Sequence, residues 1–372
     1  MATPLCPYYG KCNGCSAQHI EYKQQLNNKK QWIGKALNFP YVEVFHDKEY
    51  HYRNRMDFIF KKGRIGLRSV DNAAELIDIE TCPIAEERIN ELLQEIRKFF
   101  RNNPLLREDL FYYVVIRTTS CDDSSLSFVL NDNSTKLGAA QELIRDFAKI
   151  SSAKNILITY TNPEEDQSIS EEFFMVKGID QLQEEYLGKT FFYSVQGFSQ
   201  NNTEMANKMH EYVHKLLQKY SNPQAYLLDL YAGVGTFGII NADLFKEVTI
   251  VESFAPCIET AKLNLEENKV KNAHPFVLDA RNLVKLKLRT PLFVITDPPR
   301  VGMDEKTILE LKRLNPNLII YISCNHHQLS RDILKFKDYE VKSAAIFDLF
   351  PQTAHMEVVV ELVRIKKEEP LT

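Results

Sequence analysis

The sequence has no surplus of positive charge: 46 Lys and Arg stand against 50 Asp and Glu, for a formal net charge of −4 at pH 7. That excludes a surface that grips nucleic acid through bulk charge, so phosphate contacts would have to come from a local patch. No apolar run is long enough to cross a bilayer. Residues 1–15 lack the basic stretch and apolar core of a secretory leader. These absences predict a cytoplasmic protein that does not enter membranes, with a monomer as the simplest assembly. Internal repeats and low-complexity linkers are missing too, which leaves ordinary packed domains. Cysteine comes in an odd number, seven, which without a leader argues against a disulfide framework.

The 372 residues are 44% hydrophobic and 26% charged, a soluble chain too long for one ordinary core. Residues 1–88 are irregular, hold four of the cysteines, and contain a basic strand pair at 52–61 and 64–68 around Lys62-Gly63. Residues 89–190 read as α+β, with helices at 89–100 and 135–150 and strands at 112–117, 125–130 and 155–161. From residue 191 the pattern changes. A helix at 202–220 precedes short apolar runs at 226–230, 248–251, 275–278, 293–296 and 318–322, mostly separated by helical segments, and two further strands follow at 339–347 and 356–363. Runs of this length with helical crossovers predict a parallel sheet covered on both faces. The expected fold class is α/β, a Rossmann-like domain over 191–372 behind an α+β region and a cysteine segment.

Gly233, Gly235 and Gly238 form a G-x-G-x-x-G turn directly after the run ending in Asp229-Leu230, and Glu252 closes the next strand. Such a turn lets a ligand approach the backbone, and the carboxylate suits the two hydroxyls of a ribose. Both NAD and S-adenosylmethionine carry that ribose. Two loops downstream decide between them. Asp297-Pro298-Pro299-Arg300 follows one strand, its prolines fixing the backbone, and Ser323-Cys324-Asn325 follows the next. In an open parallel sheet both loops lie at the ligand-binding edge. A cysteine after an apolar strand is more often a small buried hydrophobe; the placement of Cys324 at this edge reverses that expectation. A thiolate adding to carbon 6 of a uracil makes carbon 5 nucleophilic toward a sulfonium methyl, and a base must then remove the carbon 5 proton. Glu357, opening the last strand, and His355 are the two candidates for that base.

With these residues the chain resembles the RNA uracil-C5 methyltransferases, the family of the tRNA U54 and 23S rRNA m5U enzymes. The resemblance runs nearly end to end through Phe198-Ser199-Gln200-Asn201, residues 229–235, Asp297-Pro298-Pro299-Arg300, Ser323-Cys324-Asn325 and His355-Met356-Glu357. It implies a class I S-adenosylmethionine-dependent methyltransferase acting on structured RNA, with tRNA U54 the favoured target and 23S rRNA the alternative. It implies that Gln200, Tyr231, Glu252 and Asp297 bind the donor beside Gly233, with Cys324 as nucleophile and Glu357 as base. Thr236 stands where the family often has asparagine. Many members carry an RNA-binding β-barrel ahead of the cysteines; this sequence starts at the cysteines.

Cys6, Cys12 and Cys15 are spaced C-x5-C-x2-C, with Cys82 distant and followed by Pro83. Four thiolates suit zinc or a 4Fe-4S cluster. One C-x2-C knuckle plus a distant Cys-Pro is nearer to iron–sulfur proteins, and the resemblance implies the cluster, with zinc second. Arg53, Arg55, Lys61, Lys62, Arg64 and Arg68, interleaved with Tyr52 and Phe58, are the candidate RNA contacts. Two rival functions remain in view. An amide-nitrogen or small-molecule methyltransferase would want an aromatic residue at Arg300 and would leave Cys324 without a role. A non-catalytic metal-cluster RNA-binding protein would not need the intact glycine turn.

Overall fold

The computed structural model describes residues 1–106, 109–162, 164–220 and 222–365. The chain opens with a cysteine loop, helix α1 (Tyr22–Ala36) and strand β1 (Val42–Phe45). It continues through β2 (Arg55–Lys61), β3 (Arg64–Arg68), β4 (Leu76–Asp78) and α2 (Glu87–Phe100). The central region adds β5 (Phe111–Thr118), β6 (Ser124–Asn131), α3 (Leu137–Ile150), β7 (Asn155–Thr161) and β8 (Phe173–Lys177). These strands form one sheet in the order β4-β3-β2-β5-β6-β7-β8. Among the described residues of this sheet only strands β6 and β7 pair in parallel, because α3 supplies the crossover that a parallel pair requires. The phenylalanines Phe60, Phe100, Phe111, Phe128 and Phe147 fill the core between this sheet and its helices, each at most 1% exposed.

A hairpin of β9 (Leu182–Tyr186) and β10 (Lys189–Tyr193) leads into α4 (Thr203–Tyr220). The second sheet then builds from β11 (Tyr226–Leu230), α5 (Thr236–Ile240), β12 (Glu247–Glu252), α6 (Ala255–Glu267), β13 (Ala273–Val277) and β14 (Leu292–Thr296). It ends with α7 (Glu305–Leu314), β15 (Leu318–Ser323), α8 (His326–Ile333), β16 (Tyr339–Phe347) and β17 (Glu357–Arg364). The order is β1-β16-β17-β15-β14-β11-β12-β13. Alternate residues of β15 serve opposite faces: Ile320 and Ile322 join one apolar layer, while Ile319 and Tyr321 join the other. That is why the strand reads as a continuous apolar run.

Two strand pairings organise this half of the second sheet. Strand β17 runs antiparallel to both β15 and β16, so its first residues lie where β15 ends: Val358 is opposite Ser323. Strand β1 pairs in parallel with β16, Val42 opposite Ala344 through Phe45 opposite Phe347, and covers the outer edge of that strand. Residues 22–45 thus pack on the second sheet, although the sequence grouped them with the segment 1–88; four residues of strand paired across the whole chain leave no local periodicity to read. Among the described residues, no helix is long and apolar enough to cross a membrane.

Candidate active site

The glycine turn is stitched to the strands on either side. Asp229, buried at 1% exposure, accepts the Gly238 N–H at 2.7 Å. A Cβ on Gly238 would stand 2.9 Å from Ile250 Cγ1, so only glycine lets α5 approach the sheet this closely. Burial raises the Asp229 carboxyl to about 7 against the help of that N–H, with Asp297 and Glu252 adding to the rise. Glu252 is oriented by backbone: one oxygen accepts the Gly233 N–H at 3.2 Å, the other the N–H groups of Ser253 and Phe254 at 2.7 and 2.9 Å. Tyr231 sits at φ +59, a conformation a bulky side chain holds only when its surroundings impose it.

Tyr231 and Glu252 line a cavity of about 400 Å³ with Asp279, Pro299, Gly302 and Asp304. Asp279 is a site residue that the sequence reading missed. It follows the apolar run at 275–278 as Glu252 follows the run at 248–251, and that parallel is the signal that marks it. The side chain and backbone N–H of Arg281 lower the Asp279 carboxyl to about 2, so it is an anion at any physiological pH. Gln200 and Thr236 lie outside this cavity's lining. Gln200 is on the loop before α4, where its carbonyl accepts from Asn54 Nδ2 at 3.0 Å, and Thr236 opens α5.

Asp297, Cys324 and Glu357 meet at the edge where β14 and β15 end and β17 begins. Cys324 is partly exposed. Burial raises its thiol to about 11, and the neighbouring Glu357 and Asp297 push the same way against Arg300. Burial likewise carries Asp297 to about 7. Glu357 rises well above the usual carboxylate range, through burial first and Asp297 second, opposed by Arg300. The three groups therefore interact electrostatically, and at neutral pH they share fewer negative charges than their number suggests. His355 instead faces Arg300, with Nδ1 3.3 Å from Nη2. Burial and the nearby guanidinium lower its pKa.

The loops carrying these groups are braced by Asp332, which is fully buried. Its Oδ2 accepts the Met303 N–H at 3.0 Å and the Tyr321 hydroxyl at 2.8 Å, and Gln328 Nε2 donates to Oδ1 at 3.0 Å. Gly302, at φ +81, passes so close that a Cβ would overlap Gln328 and Asp332. Asn325 caps α8 through its Oδ1 and donates from Nδ2 to the Arg300 carbonyl at 2.9 Å. The Asp-Pro-Pro-Arg and Ser-Cys-Asn loops are thereby one rigid unit.

Cys6, Cys12, Cys15 and Cys82 line a single cavity of about 180 Å³. Among the described residues, no group of three or more His, Cys, Asp or Glu side chains is arranged to hold a metal ion. The ligand form of cysteine is the thiolate, and burial disfavours it, lifting Cys15 to about 11 and Cys82 to about 12. A correction concerns Tyr52 and Phe58, expected to stack on bases. Both are 0% exposed. The alternation along 52–58 turns them into the core and leaves Arg53 and Arg55 on the other face. Arg55 is itself engaged, paired with Asp57 at 2.8 Å.

Known proteins are similar to this chain over nearly its whole length. An RNA methyltransferase of Caldanaerobacter subterraneus is 30% identical, over 95% of this chain and 83% of its own. The tRNA (uracil(54)-C(5))-methyltransferase of Pyrococcus abyssi is 29% identical, over 97% of this chain and 86% of its own. The crystal structure of that Pyrococcus enzyme with S-adenosyl-L-homocysteine superposes with a TM-score of 0.78 at 27% identity, covering 95% of this chain and 86% of that one. A family model described as tRNA (Uracil-5-)-methyltransferase matches residues 21–365, and the chain belongs to that family.

Proposed function

We propose that the protein transfers the methyl group of S-adenosylmethionine to carbon 5 of U54 in tRNA, in the cytoplasm, through a covalent adduct on Cys324. The observation that carries this is the meeting of Cys324, Asp297 and Glu357 at one strand edge beside the cavity bounded by Tyr231 and Glu252. In this proposal Glu252 and Tyr231, which line the cavity, hold the donor's adenosine, and Gln200, Gly233, Thr236 and Asp297 contact the donor from beyond that lining. Cys324 gives its proton to water and, as the thiolate, bonds to carbon 6 of a uridine flipped out of its stack. The electrons displaced onto the uracil make carbon 5 attack the sulfonium methyl; the carbon–methyl bond forms as the sulfur–methyl bond breaks. Glu357 then takes the carbon 5 proton, the ring double bond re-forms, and the Cys324 thiolate leaves. A carboxyl whose pKa burial raises is a stronger acceptor for that proton than an ordinary glutamate.

Incubation with S-adenosylmethionine and 5-fluorouridine tRNA tests the scheme, because fluorine at carbon 5 blocks the last step. A denaturant-stable protein–RNA adduct that disappears in Cys324→Ala is expected, and an unchanged adduct in the variant rejects Cys324. Mapping the methylated uridine separates tRNA position 54 from a 23S rRNA loop.

The proposal includes a 4Fe-4S cluster on Cys6, Cys12, Cys15 and Cys82, with zinc the second choice. Its support is that all four thiols line one cavity and that backbone N–H groups point at their sulfurs: Gly14 donates to Cys12 at 3.4 Å, and Ala85 and Ile84 to Cys82. Such donors favour thiolates, and iron would offset the charge that burial opposes. When bound, the cluster would tie Cys82 to the amino-terminal loop; no step of methyl transfer passes through it. Iron and acid-labile sulfide in equal amounts are expected in anaerobically purified protein, whereas zinc without sulfide would select the second choice.

A further inference from the structure

The loop 348–355, which delivers Glu357 to the site, is held chiefly by the amino-terminal segment. Lys29 Nζ donates to Asp348 Oδ1 at 2.6 Å, and the Tyr22 hydroxyl donates to Oδ2 at 2.9 Å. Lys29 reaches on to the Phe350 carbonyl at 3.3 Å. Gln25 donates to Gln352 Oε1 at 2.9 Å and accepts the Gln352 N–H at 3.1 Å. The Tyr52 hydroxyl donates to the Pro351 carbonyl at 2.8 Å, and the N–H groups of Ser16 and Ala17 both donate to the Gln352 carbonyl at 3.0 Å. Gln352 itself is held at φ +66. The Lys29 and Asp348 side chains are 1% and 0% exposed. A buried ion pair is a poor source of stability compared with apolar packing of the same volume. What it does supply is a fixed geometry for the chain it holds.

We propose that Lys29, acting through Asp348, is a positioning residue for proton removal: the pair sets the loop that fixes Glu357 against the Cys324 adduct. The inference rests on the reading that Cys324 is the nucleophile and Glu357 the base. The order of the chemistry isolates it. The sulfur–carbon 6 bond and the new carbon–methyl bond form before Glu357 is needed. Only then does the carbon 5 proton pass to Glu357, its electron pair rebuilding the ring double bond as the sulfur–carbon bond breaks.

The test uses full-length Asp348→Asn and Lys29→Met. One measurement is the rate of adduct formation on 5-fluorouridine tRNA, which needs Cys324 and the donor. The other is tritium release from tRNA tritiated at carbon 5 of uridine, which also needs Glu357. Displacing the base by a fraction of an ångström should slow tritium release about 10- to 100-fold. Adduct formation should stay at the wild-type rate, so that methylated adduct accumulates on ordinary tRNA. If the two rates fall together, or if neither falls, the positioning role is overturned. Asp348→Asn preserves shape and still accepts from Tyr22, so it carries the test if Lys29→Met does not fold. A wild-type protein that forms no adduct removes the covalent reading and this inference together; parallel losses on a normal wild-type adduct remove this inference alone.

Discussion

Asp229→Asn should make the protein less sensitive to alkaline pH, and the size of the effect follows from burial. The native carboxyl is raised from 3.8 to about 7. A raised carboxyl favours the fold while protonated, below its unfolded value, and that contribution is lost as pH climbs through the native value. Between pH 5 and pH 8 about two units of the window are crossed, worth about 3 kcal/mol at ~1.4 kcal/mol per unit. Asparagine does not titrate, and its side-chain oxygen can still accept the Gly238 N–H. Urea unfolding of both proteins at the two pH values, followed by circular dichroism, gives the difference of differences. The variant should gain about 3 kcal/mol on the wild type on going from pH 5 to pH 8. If both proteins lose stability in parallel, the carboxyl ionises as it would in water and the account of burial under the glycine turn is wrong.

Glu357→Gln should keep adduct formation on 5-fluorouridine tRNA while turnover falls about 10²- to 10⁴-fold, the usual worth of a positioned base; a variant with normal turnover would return the role to His355. Gly302→Ala should cost about 1–3 kcal/mol in thermal unfolding, since φ +81 and the overlap with Asp332 both oppose a side chain, and should weaken donor binding through the loop it shares with Asp297. Asp279→Asn should weaken S-adenosylhomocysteine binding by about 10- to 100-fold in calorimetry, the loss of one charged hydrogen-bond partner. Arg281→Ala, which keeps the Asp279 carboxylate, should change it much less.

The parallel sheet was legible because its strands are buried on both faces, and β14 and β15 begin and end within a residue of the apolar runs that announced them. Cys324, Asp297 and Glu252 were legible for a related reason: a polar residue closing an apolar run sits at a strand's carboxyl end, where ligands bind. Glu357 needed the antiparallel course of β17, and no periodicity along 356–363 reveals direction. The pairing of Lys29 with Asp348 was invisible, since a lysine on a polar helix reads as solvated until its partner, 319 residues away, is known. Strands β9 and β10 were missed because a two-stranded hairpin of mixed polar and apolar residues has no buried layer to mark it, and the apolar run of β8, at the edge of its sheet, went unread.

The distance in sequence between Lys29 and Asp348 also sets a timetable. Synthesis runs at about 5–20 residues per second, so the lysine waits about 15–60 s after its own incorporation before Asp348, 319 residues on, is made. Through most of that interval α1 lacks α8 and the loop at 348–352, the later elements it packs against. Its sequence, with Lys23, Lys29, Lys30 and Lys35 among glutamines and asparagines, suits a segment that must stay hydrated until the last strands of the protein are made.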